Sequence, residues 1–332
     1  MVTVFGLCAL VIGLAPVAQA DTVIATVPVG TGPFGVAITP DGTRAYVTNS
    51  GGDSVSVIDT ATNAVIGDPI PVGDFPFGVA ITPDGTRAYV TNSNDSTVSV
   101  INTATNAVIG DPIPVGDNPQ GVAITQNGAR AYVTNISDTT VSVIDTVTNA
   151  VIATITVGSG PSAVAFTPDG TRAYVTNSNG STVSVINTAT NAVIGDPIPV
   201  GTGPFGVAIT PDGTRAYVTN GFDTTVSVID TVTNAVIATI PVGDGPFGVA
   251  ITPDGTRAYV TTSGGDTVSV IDTATNAVIG DPIPVGDNPQ GVAITPNGAR
   301  AYVANNGDNT VSVISIHSGC TGSLCIFGSS GS

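Results

Sequence analysis

The chain has 332 residues and a formal net charge of −17, from 24 acidic side chains, every one an aspartate, against seven arginines; it has no lysine, glutamate or tryptophan and one histidine. Without a basic surface it cannot neutralise phosphates, which excludes nucleic acid as a partner. With no lysine and a lone His317 at the far end of the chain, serine or threonine nucleophiles lack an activating base, so acid–base work would fall to aspartates alone.

Residues 1–20 read as a signal peptide: an apolar stretch over residues 4–17 precedes Ala18-Gln19-Ala20, a small-residue cleavage site before Asp21. The stretch is too short for a membrane span. The mature chain is therefore expected to carry no span and to be secreted, periplasmic or held at the cell surface. No basic residue follows Met1, which leaves open a start further upstream.

Residues 21–316 repeat one unit. Its markers are Tyr46, Tyr89, Tyr132, Tyr174, Tyr217, Tyr259 and Tyr302, spaced 43, 43, 42, 43, 42 and 43 residues apart. Within a unit, PFGVAIT, RAYVTN, SVSVIDT and AVIGDPIPVG are rich in Val, Ile, Thr or Tyr and are separated by PDGT, SGGD and ATN. Such runs bounded by turn residues predict four short strands, A to D. Pro and Gly suit the A–B reversal, Asp59 can accept amides of its own turn, and Asn63 tolerates the left-handed region.

A four-stranded unit of this size cannot bury both faces alone, but stacked radially it can, which predicts an all-β, seven-bladed β-propeller with four antiparallel strands per blade. Residues 22–30 match a fourth strand that precedes the first unit, and the seventh unit stops after its third. The N-terminal strand should therefore close the ring by pairing into the last blade. The fourth strand has two forms, with Gly-Asp-Pro in units one, two, four and six and without it in three and five; the prolines and a bulge would blunt an exposed sheet edge.

The motif YVTN stands at Tyr46, Tyr89, Tyr132, Tyr174 and Tyr217, with YVTT at Tyr259 and YVAN at Tyr302. In these motifs residues 22–316 closely resemble the YVTN family of β-propeller repeat proteins, of the surface-layer and secreted bacterial or archaeal type. The resemblance implies the propeller fold. For activity it points two ways, because related seven-bladed propellers include lactonases and cofactor-bearing enzymes, whereas many YVTN proteins look like binding or surface proteins.

By analogy with known propellers, the D–A and B–C loops share a top face and the A–B and C–D turns a bottom face. The top then carries Asp74, Asp117, Asp244 and Asp287 from one loop type and Asp53, Asp95, Asp138, Asp223, Asp266 and Asp308 from the other, with no positive charge. These ten are the candidate ligand-binding acids; with asparagines they could lend oxygen to Ca²⁺, although no EF-hand loop occurs. The bottom carries nine aspartates and all the arginines. Arg44, Arg87, Arg130, Arg172, Arg215, Arg257 and Arg300 read as structural residues, each pairing with an aspartate of the turns beside it.

At the top mouth, Phe34, Phe77, Phe205 and Phe247 take a position held elsewhere by Gln120, Ser162 and Gln290, with Phe75 and Phe222 nearby. They are candidates for an apolar or sugar ligand, or for packing between blades. The tail, 317–332, has flexible composition, and Cys320 and Cys325 suggest a local disulfide in an exported chain.

The near-identity of the blades argues against a catalytic centre, which needs residues that break the repeat. The expectation is a monomeric, non-enzymatic binding scaffold at the cell surface or secreted, with a protein or cell-surface glycan partner, without resident cofactor unless Ca²⁺ occupies the top. The alternative is a metal-dependent hydrolase of the lactonase kind using top-face aspartates.

Overall fold

A computed structural model describes residues 20–317. Nearly all of the expected leader, and the cysteine pair Cys320 and Cys325, lie outside the described residues. The described chain contains strands and turns only, and no helix long and apolar enough to cross a membrane.

Seven antiparallel sheets form the ring, one per repeat. Blade 1 takes Pro33–Ile38 as inner strand A, Arg44–Asn49 as B, Ser54–Asp59 as C, and the broken pair Ala64–Val65 and Ile70–Pro71 as outer strand D. In blade 7 the fourth position is filled by Thr22–Pro28, which pairs antiparallel with Thr310–Ser315 from Thr22↔Ser315 to Pro28↔Thr310. The ring is closed by the N-terminal strand, as the orphan strand at the start of the repeat array implies.

The core lies between blades. Tyr46, Val55 and Val57 of blade 1 pack with Ala88, Val90 and Ile101 of blade 2, and six further clusters repeat that contact around the ring. Strands B and C are therefore apolar on both faces, as sandwiched sheets require.

Each letter of YVTN has a task in this packing. The tyrosine is fully buried, and its hydroxyl donates to an asparagine in the C–D turn of the next blade, as from Tyr46 to Asn106 Oδ1 at 2.7 Å. That asparagine can reach it because it adopts a left-handed conformation, φ 52° at Asn106. Valine fills the seam, and asparagine ties its own blade together, Asn49 Nδ2 reaching Ser56 Oγ at 3.0 Å.

Threonine joins the inner strands. Thr48 Oγ1 accepts from Gly35 N at 2.8 Å and donates to the Phe77 carbonyl of blade 2 at 2.7 Å. The approach is so close that a Cβ at Gly35 would lie 2.5 Å from that carbonyl oxygen, which is why glycine stands there.

Every outer edge is interrupted. In blades 1, 2, 4 and 6 the Gly-Asp-Pro stretch breaks strand D in two. In blades 3, 5 and 7 strand D is continuous, but one residue, Ile152, Ile237 or Ile24, is extruded as a β-bulge. Both devices spoil the edge as a template for another strand.

The seam between blades 7 and 1 lacks the threonine bridge because Ala304 replaces it, while Gly291 still sits against the Phe34 carbonyl. Ala304→Thr should restore both hydrogen bonds and stabilise the chain by about 1 kcal/mol. Urea denaturation checks this; an unchanged or lower midpoint would show that the inner seam does not depend on the hydroxyl.

Candidate functional site at the channel mouth

The D–A and B–C loops meet on one face, as the amide of Ser50 bonding to Gly32 O at 2.8 Å shows, so the sequence-based division into two faces stands. All ten candidate aspartates are exposed there. They divide into two sets by what their carboxylates do.

Each of the six B–C aspartates accepts a backbone amide from a neighbouring D–A loop. Asp95 takes Asp74 N at 2.7 Å, Asp138 takes Asp117 N at 2.6 Å and Asp308 takes Asp287 N at 2.9 Å. Asp53 takes Phe75 N at 3.1 Å, Asp266 takes Asn288 N at 2.9 Å, and Asp223 takes Thr202 N. These acids brace the loops. In the D–A set, Asp117 accepts only Ser96 Oγ at 3.3 Å, and the carboxylates of Asp74, Asp244 and Asp287 accept no hydrogen bond among the described residues.

The phenylalanines, by contrast, converge. Phe34 lies 3.9 Å from Phe77 and 5.3 Å, edge on, from Phe247, and Phe247 stacks on Phe205 at 4.9 Å. Phe222 meets Phe205 edge to face at 5.7 Å, extending the chain of rings to the B–C loop of blade 5. Blades 3 and 4 answer with a polar arc, where Ser162 Oγ donates to Gln120 Oε1 at 3.2 Å. Residues from blades 1, 2, 5 and 6 thus form one aromatic cluster, the arrangement being both blade-to-blade packing and an apolar surface at the mouth.

Among the described residues no three His, Cys, Asp or Glu side chains gather in a metal-ligating group. The lone histidine is at the ring-closing seam between blades 6 and 7, beside a bottom-face cleft of about 1180 Å³ lined by Asp254, Arg257, Asp272 and Ile316.

On the bottom face the expected arginine–aspartate pairing is corrected. Six arginines donate across the seam to a threonine carbonyl in the next blade: Arg44 to Thr103 O at 2.6 Å, Arg87 to Thr146 O at 2.5 Å, Arg130 to Thr188 O at 3.0 Å, Arg172 to Thr231 O at 2.7 Å, and likewise Arg215 to Thr273 and Arg300 to Thr60. A carbonyl wins because the C–D turn presents it beside the guanidinium, whereas the turn aspartates are occupied by their own turns, Asp41 by Thr39 and Thr43, and Asp59 by Ala61 and Thr62.

Among the described residues only Arg257 bonds to an aspartate, Asp21, at 3.1 Å. Asp21 also accepts Tyr259 OH at 2.5 Å and His317 N at 2.7 Å. Blade 7 has no continuous C–D turn to offer an asparagine and a carbonyl, and one carboxylate replaces both. In the sequence the clue to this role is that Asp21 precedes Thr22 as Asn63 precedes Ala64.

Fold and mouth together define a seven-bladed β-propeller whose two ends differ: a braced acidic face with an aromatic cluster, and a face of zwitterionic turns. The family model described as Lactonase, 7-bladed beta-propeller matches residues 197–325, less than half of the chain. Among solved structures the chain is similar to Kuenenia stuttgartiensis hydrazine synthase, with 27% identity and a TM-score of 0.78 over 86% of this chain and 96% of that one. No curated protein matches.

The bottom face sets the pH range. The Thr39 hydroxyl, then the Thr43 amide, hold Asp41 below the usual 3.8; the Thr62 amide and hydroxyl do the same to Asp59, and their counterparts in other blades follow. Burial raises every marker tyrosine above 10.0, Tyr259 furthest. For the aspartates, stability is present above 3.8 and falls as pH drops through their lowered values. For the tyrosines it is present below 10.0 and falls as pH climbs toward their raised values. Urea midpoints should therefore be flat from about pH 5 to 9 and fall on both sides; a flat profile to pH 3 or to pH 11 would contradict the respective assignment.

Proposed function

We propose that the chain is a non-enzymatic binding scaffold, acting as a monomer outside the cytoplasm and engaging a protein or cell-surface glycan through its top face. The observation that carries this reading is the engagement of all six B–C aspartates by backbone amides. Carboxylates that brace loops are poor candidates for a general base or a metal cage, and the lone imidazole is at the opposite end of the ring. The reading includes no cofactor, calcium among them. Kinship with the YVTN surface proteins, suggested by the motif, fits an exported scaffold.

A second reading, a metal-dependent hydrolase of the lactonase kind, is favoured by the family match over residues 197–325. It would have to use Asp74, Asp244 or Asp287, the top-face acids that brace nothing.

Two assays on residues 21–332 separate the readings. Retention by cell envelopes of the source organism is expected, and Asp74→Asn/Asp244→Asn/Asp287→Asn should weaken it several-fold without lowering the melting temperature. A panel of lactones with Ca²⁺, Mg²⁺, Mn²⁺ or Zn²⁺ should give no turnover. Metal-dependent turnover abolished by the triple variant would establish the hydrolase instead.

A further inference from the structure

The repeats are so alike that a position breaking the pattern invites a physical explanation. Two top-face positions stand out. The D–A loop residue held by Gly32, Asn118, Gly160, Gly203, Gly245 and Asn288 has positive φ throughout. In the loop into blade 2 it is Phe75, at φ 54° and 39% exposed. A bulky aromatic in the left-handed region is strained, and such strain persists where the site has a use for it. In the B–C loop of blade 5, where blade 2 has Asn94, stands Phe222, 72% exposed.

From Phe222 the rings run through Phe205, Phe247 and Phe34 to Phe77, two residues beyond Phe75. Each exposed phenylalanine also has an aspartate as chain neighbour, Asp74 before Phe75 and Asp223 after Phe222. The face has no positive charge.

We propose that this aromatic stripe is the docking surface for an arginine-bearing segment of a basic polypeptide, whose guanidinium groups stack on Phe75 and Phe222 beside those aspartates. The proposal rests on the scaffold reading and names its partner. A guanidinium suits the place better than an ammonium because it is planar, weakly hydrated and stacks on an aromatic face while its edge donates to a carboxylate. A neutral glycan would stack on the rings but leave the aspartate ring without a counterpart, so the sign of the face selects a cation.

The test measures fluorescence anisotropy of labelled hexa-arginine and hexalysine peptides with residues 21–332 at 50 and 500 mM salt. Two variants copy sister blades, so the fold tolerates them: Phe75→Gly, as at Gly32, and Phe222→Asn, as at Asn94. Hexa-arginine should bind more tightly than hexalysine at both salt concentrations, and each substitution should weaken it about 2–5-fold, the factor for an exposed cation–π contact. The proposal is overturned if the two peptides bind alike, if the variants bind as well as the parent, or if hexa-arginine does not bind at 50 mM salt. Should envelope retention persist in any of those cases, the scaffold reading survives and only the basic partner is lost.

Discussion

One hydrogen bond recurs at every seam of the ring: a buried tyrosine hydroxyl donating into the next blade. Its geometry dictates much of the unit. Tyrosine must stand at the middle of strand B, where its ring fills the seam and its hydroxyl reaches the bottom edge. Asparagine must end the C–D turn in a left-handed conformation so that its side chain meets that hydroxyl, as Asn63 does for Tyr302 at 2.9 Å. A buried hydroxyl left without a partner costs about 1–3 kcal/mol, so seven such groups hold the repeat to its pattern. Where the chain ends interrupt the ring, the requirement persists, and Asp21 meets it.

This requirement loads the two ends of the propeller differently. The bottom is committed to structure, its arginines reaching across seams and its aspartates capping their own turns. The top contains loops braced by the B–C aspartates, and two of its exposed loop positions, Phe75 and Phe222, depart from the repeat. The two ends are thus committed to different contacts along the ring axis, arginines crossing seams at one and aspartates bracing loops at the other.

Much of the fold was legible in the sequence. The spacing of the tyrosines fixes the blade count, the turn residues mark strand ends, and the orphan strand before the first unit announces the closure. The arginine contacts were not legible, because Arg44 has Asp41 three residues before it and Asp59 opposite it in the sheet, whereas its true acceptor, Thr103 O, is 59 residues away on another blade. Sequence proximity reports the local field and not what crosses a seam. The phenylalanines were legible as a set but not as a contact: whether Phe34 touches Phe247 depends on the closed ring bringing blades 1 and 6, on either side of blade 7, to one mouth. Asp21 was hidden for the same reason, since its partners Arg257 and Tyr259 are separated from it by 236 and 238 residues.

The most direct test of the closure is a comparison of Asp21→Asn and Asp21→Ala with the parent, all as residues 21–332, by urea denaturation at pH 7. Asparagine serves the tyrosine at six seams and lacks only the charge for Arg257, so Asp21→Asn should cost about 1 kcal/mol and Asp21→Ala about 3 kcal/mol. If alanine were as stable as the parent, the seam would not depend on this carboxylate, and the account of how the ring is held closed would be wrong.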